Sequence, residues 1–135
     1  LKLIRYWIPA IGVASLIFYL SSLPPSDLPS LNFPHADKWA HVFMYTLLSF
    51  SLGRALTASR RFDPLPELVR RRLLFTVLAT LIFGVFDEWR QSFVPGRQVE
   101  FADLLADFVG GLLGASLAFL YRRMLARWLQ QQSSR

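Results

Sequence analysis

The chain has 135 residues, is 53% hydrophobic and has a mean hydropathy of +0.36, which is too apolar for an ordinary soluble domain and long enough for one domain only. It contains no cysteine, so disulfides, thiolate catalysis and Cys-ligated zinc are excluded. A net charge of +6 would point to nucleic acid in a soluble protein. Here the arginines cluster between apolar blocks, which is a topology signal, and no nucleic-acid partner is expected.

The first apolar block runs from Ile4 to Leu20 behind Lys2 and Arg5. Ser21-Ser22-Leu23-Pro24-Pro25 follows without a small-x-small cleavage site, so the block is expected to be an uncleaved anchor. Ser21 to Pro34 carries four prolines and is expected to be an extended outer loop lying over a site. The second block spans Trp39 to Leu56; beyond it, the basic stretch Arg60 to Arg72 holds Asp63-Pro64-x-Pro66, which breaks the helix in a loop suited to phospholipid headgroups. The third block runs from Leu73 through Phe86 to Phe93, and Pro95-Gly96 suits the centre of a type II turn with Arg97 at the hairpin tip. In the fourth block, Phe101 to Tyr121, Gly110 and Gly114 form a small-x-x-x-small stripe for close helix packing.

A bilayer core of about 30 Å needs roughly 17–25 helical residues. The first and fourth blocks reach that length unaided, whereas the second and third reach it only if their outer turns carry polar residues. The expectation is an all-α, four-helix transmembrane bundle forming a single domain over 1–135, with helices at about 4–20, 38–57, 71–93 and 100–122. Twelve of the fifteen Lys and Arg residues fall at the N-terminal end, in the 54–72 segment or in the C-terminal tail, which puts both termini in the cytoplasm.

The acids gather at the other end. His41 precedes Arg54, Asp87 follows Arg71 and Asp107 precedes Arg122 by similar spans, at heights of roughly 20, 24 and 22 Å on a helix. Three helices therefore bring ionisable groups to one slab near the outer interface, where charge is costly and marks a site or a clamp. Asp37, His41 and Tyr45 share one helical face, as do Asp103 and Asp107 on another. Asp87 and Glu88 sit about 100° apart and cannot face the same way. Asp37 and Asp103 also suit helix starts. His41 with Glu88 and Asp107 would make a zinc or manganese shell, and His41 beside an acid equally suits a general base. No nucleophile motif is present.

These residues also carry a family likeness. Asp37-Lys38-x-x-His41-x-x-x-Tyr45 resembles the first motif of the VanZ-like integral membrane proteins. Asp87-Glu88-x-x-Gln91-x-Phe93-x-Pro95-Gly96-Arg97 resembles their second, and Asp103-x-x-x-Asp107-x-x-Gly110-x-x-x-Gly114 their third, with Asp107 where Asn is commoner. The resemblance implies a small multi-pass protein of the bacterial cytoplasmic membrane, from a family whose founding member is associated with low-level teicoplanin resistance.

Two functions are expected from these readings. In the first, an outward-facing pocket binds, and by extension modifies, an anionic envelope ligand such as a lipid headgroup or peptidoglycan precursor. Lys38 and Arg97 would hold the anion, and His41, Glu88 and Asp107 would orient it or act in acid–base work. Asp37, Tyr45, Asp87, Gln91 and Asp103 complete the pocket. In the second, the His/acid/Arg cluster is a salt-bridge clamp between helices of a non-catalytic membrane scaffold. Ligand identity, metal and oligomeric state stay open.

Overall fold

A computed structural model describes residues 4–29, 33–58 and 66–133. Among the described residues the fold is all-α, with four α-helices: α1 (Ile4–Ser21), α2 (Ala36–Ala58), α3 (Pro66–Gln91) and α4 (Phe101–Ser133). A short 3-10 turn over Pro25–Asp27 interrupts the α1–α2 connection. The expected break at Asp63-Pro64 lies outside the described residues, as do Arg60 and Arg61.

Local chemistry explains the helix ends. His35 adopts a left-handed φ of 55°, and its carbonyl accepts the Trp39 N–H at 3.1 Å to close the first turn of α2. α3 starts at Pro66, a position where the missing N–H costs nothing, and has Glu67 in its first turn. Between α3 and α4, Arg97 N donates to Val94 O at 3.1 Å across Pro95-Gly96, and Gly96 supplies the φ of 81° that this turn demands. The expected hairpin is therefore present. All four helices pass an expected limit, α1 and α2 by one or two residues and the others by more: α3 begins at 66 instead of 71, and α4 runs on to 133 instead of 122. Apolar blocks mark where a helix meets hydrocarbon, not where it ends. The Arg, Leu, Met and Gln residues after Tyr121 are good helix formers that continue the backbone hydrogen bonding.

α2 and α4 share the most extensive contact of the bundle. At Gly110 a Cβ would lie 2.6 Å from Val42 O, and at Gly114 it would lie 2.3 Å from Thr46 O, so only glycine lets the two backbones approach this closely. Ser49 Oγ donates to Gly111 O at 2.7 Å across the same seam. A small apolar core of Ile17, Tyr45 and Leu48 joins α1 to α2, with Phe83 of α3 packed against it.

The packing is inverted relative to a soluble protein. The fully buried side chains include Thr76, Thr80, Ser49, Asp87 and Asp107, while Ile82, Phe75, Leu78 and Met124 face outward. Large contiguous apolar surface of this kind needs a partner or a bilayer. The hydroxyls of Thr76 and Thr80 bond back to the carbonyls of Arg72 and Thr76, both at 2.8 Å, and so need no water. Trp7, Trp39, Trp89 and Trp128 are all exposed. Among the described residues, α1 and α4 are each long and apolar enough to cross a membrane.

Candidate functional site

The polar groups of the outer end fall into three linked sets. Innermost are His41, Glu88 and Asp107, contributed by α2, α3 and α4. His41 Nδ1 lies 2.8 Å from Asp107 Oδ1, and the imidazole stacks parallel to the Tyr45 ring, one turn along α2. Asp107 is fully buried because α4 runs against Gly84, where a Cβ would come within 2.7 Å of Asp107 Oδ2. Glu88 stands one turn after Gly84 on α3. It is only 4% exposed, and neither of its carboxylate oxygens makes a hydrogen bond. Ligand atoms from the three residues lie within 4.8 Å of one another.

The second set ties α3 to α1. Asp87 points away from Glu88: its Oδ1 accepts Ser21 Oγ at 2.6 Å and Arg90 Nη2 at 3.0 Å, and its Oδ2 accepts Gln91 Nε2 at 3.0 Å. Arg90 also donates to Ser21 Oγ, to Ser22 Oγ at 2.7 Å and to Phe18 O at 3.0 Å, while lying over the Phe18 ring. Breaking such a buried ion pair is costly because the partner charge is stranded.

The third set ties α2 to α4. The Lys38 ammonium sits 2.7 Å from Asp37, 2.6 Å from Glu100 and 2.7 Å from Asp103. At the exposed end of α2, the hydrogen bond from Lys38 holds the Asp37 carboxyl below its usual range.

A cavity of about 630 Å³ opens between α1, α2, the end of α3 and the segment before α2. Ile17, Leu20, Leu28, Phe33 and Met44 make most of its wall apolar, and His41, Tyr45, Asp87, Gln91 and Arg97 bring polar groups into it. Asp37 reaches the rim, whereas Lys38, Glu88, Asp103 and Asp107 lie outside the lining.

Arg97 is held by backbone. Its Nε donates to Leu23 O at 3.2 Å and its Nη2 to Leu20 O at 3.1 Å, a carbonyl that also accepts the Leu23 N–H, so it holds the end of α1 and the residues just after it. The structure thus separates Lys38 from Arg97: three carboxylates surround the first, and the second caps a helix at the cavity wall. The cation paired with Asp87 is Arg90, which the sequence reading passed over, as it did Ser21 and Glu100. Arg90 was discoverable, because it stands three residues after Asp87 on one helix. The partners Ser21 and Glu100 are remote in sequence and had no local signal.

No curated protein and no solved structure matches the chain. Residues 6–122 match the VanZ/LLP1 family of membrane proteins, a range that holds all three motifs and every residue of the three linked sets. With nearly its whole length matched, the chain belongs to the VanZ/LLP1 family.

Proposed function

We propose that this is a multi-pass protein of the bacterial cytoplasmic membrane, with both termini cytoplasmic and the cavity facing outward. In this reading the cavity binds the anionic headgroup of an envelope amphiphile, such as a phospholipid or a lipid-linked cell-wall precursor. One observation carries it: the Arg97 guanidinium lines a mostly apolar cavity and is paired with no carboxylate among the described residues. A cation fixed by neutral carbonyls keeps its charge for a ligand, and phosphate is the group a guanidinium binds best. The apolar wall suits the adjoining hydrocarbon. His41, turned by Asp107, is the general-base candidate beside the bound headgroup. The family is associated with glycopeptide (teicoplanin) resistance, which fits a ligand in the envelope.

The test is lipid retention by the purified protein. Wild type, Arg97→Gln and Arg97→Lys are incubated in detergent with equal polyprenyl phosphate and phosphatidylcholine, then examined by native mass spectrometry. Wild type and Arg97→Lys should retain the phosphate lipid preferentially, and Arg97→Gln should lose that preference. Equal retention of the two lipids by wild type would end the proposal.

A second reading, a clamp scaffold, is favoured by the Asp87–Arg90–Ser21 and Lys38–Asp103 bridges, which join α3 to α1 and α2 to α4. It accounts for those residues and leaves Glu88 without a partner.

A further inference from the structure

We propose that His41, Glu88 and Asp107 form a binding site for a first-row divalent cation, zinc or manganese, at the meeting point of α2, α3 and α4. This goes beyond the anionic-ligand reading: the two share His41 and Asp107, but that reading is carried by Arg97 and this one by Glu88.

The first observation is geometric. One ligand atom from each residue falls within a sphere of mutual separations no larger than 4.8 Å. Ligands at about 2.0–2.2 Å around one ion stand roughly 3.3 Å apart, so closing on a metal takes side-chain shifts of about 1 Å, without helix movement. The three residues come from three different helices, so their meeting is a product of tertiary packing.

The second observation is the unmet demand of the acids. Glu88 is 4% exposed, holds one carboxylate oxygen within 4.8 Å of ligand atoms of His41 and Asp107, and hydrogen-bonds to nothing through either oxygen. Asp107 is fully buried, and its Oδ2 likewise makes no hydrogen bond. Buried carboxylates are otherwise paired or coordinate metals. Both nearby strong cations are engaged elsewhere: Arg90 serves Asp87, and Lys38 serves Asp37, Glu100 and Asp103. Among the described residues the pair is faced by the His41 imidazole, which meets one oxygen of Asp107, and by the buried Tyr45 hydroxyl, which carries no charge. A divalent ion supplies the missing positive charge to both carboxylates at once.

The third observation is selectivity of the donor set. One imidazole nitrogen and two carboxylates suit zinc, manganese or iron(II), whereas magnesium and calcium prefer all-oxygen shells. Three protein donors leave at least one coordination position open, the arrangement of catalytic rather than structural sites. His41 is the one member that also lines the cavity, so the ion would adjoin whatever the cavity holds. The other group of three acids, Asp37, Glu100 and Asp103, is excluded because it already surrounds Lys38.

The full chain, purified in detergent and stripped with EDTA, is titrated with Zn²⁺ and, separately, Mn²⁺. Metal content is read by mass spectrometry, and melting temperature is read with and without metal. Wild type should bind one equivalent of at least one ion and melt higher with it. Glu88→Gln, which keeps size and packing, should weaken binding at least about tenfold and abolish the melting shift. Glu100→Gln should behave as wild type, and Co²⁺ substitution should give visible d–d bands that vanish in Glu88→Gln. Two results would overturn the site: wild type binding less than half an equivalent with no melting shift, or binding unchanged in a Glu88→Gln/Asp107→Asn double variant that still elutes as a folded protein. Neither depends on lipid retention, so metal and lipid readings fail separately.

Discussion

Replacing Gly114 with alanine should force α2 and α4 apart. The added Cβ would lie 2.3 Å from Thr46 O, 2.7 Å from Phe50 N and 2.7 Å from Ser49 Cβ. Carbon contacts are optimal near 3.5 Å, so the shortfall is about 1 Å, and two of the three obstructing atoms are backbone that cannot rotate away. Overpacking costs about 1–3 kcal/mol, and this site belongs at the upper end. Separation also stretches the 2.7 Å bond from Ser49 to Gly111, worth about 1 kcal/mol, while alanine returns about 1 kcal/mol in helix propensity. The net expectation is a loss of about 3 kcal/mol, a large part of the stability of a domain this size. Unfolding in mixed micelles titrated with SDS and followed by circular dichroism measures it. Gly12→Ala, with nothing within 4 Å of its new Cβ, is the matched control and should not be destabilised. If Gly114→Ala unfolds within about 0.5 kcal/mol of wild type, the tight α2–α4 seam is refuted.

Three further outcomes are expected. Arg90→Leu strands the buried Asp87 carboxylate and should cost about 3–5 kcal/mol in the same assay; Asp87→Asn should cost less, and equal effects would count against a charged pair. Carboxyl NMR should find Asp37 titrating below 3.8 in wild type and higher in Lys38→Met. Because its folded value is depressed, the stabilisation is present above the unfolded value and fades as pH falls through the folded one; for so exposed a pair it is about 0–1 kcal/mol. For topology, single cysteines at Gln98 and Gln132 should label from outside and only after permeabilisation, respectively, and the reverse labelling would invert the proposed orientation.

Much of the site could be read from the sequence because helices convert spacing into height. Counting residues from the arginine layer brought His41, Asp87 and Asp107 to one level, and three helices packed together do the rest. The turn at Pro95-Gly96 was legible because few residues other than glycine tolerate positive φ there. Partner choice was less legible, since it depends on how each helix is rotated against its neighbours. Height alone made Lys38 and Arg97 equivalent cations. Rotation placed one among three carboxylates and the other against α1, and it gave Asp87 to Arg90. The helix limits also blurred where apolarity and helix propensity part company, as they do after Tyr121.

Arg97 recognises α1 through the carbonyls of Leu20 and Leu23, and every residue type has a carbonyl in that place. The instructions for docking this helix end are therefore written on the α3–α4 side. Leucine side chains at 20 and 23 are free to change with the ligand or the lipid while the latch stays closed. A library randomising those two positions should retain folded protein at far higher frequency than one randomising Arg97. The cavity wall at that end is consequently open to evolutionary retuning without loss of the fold.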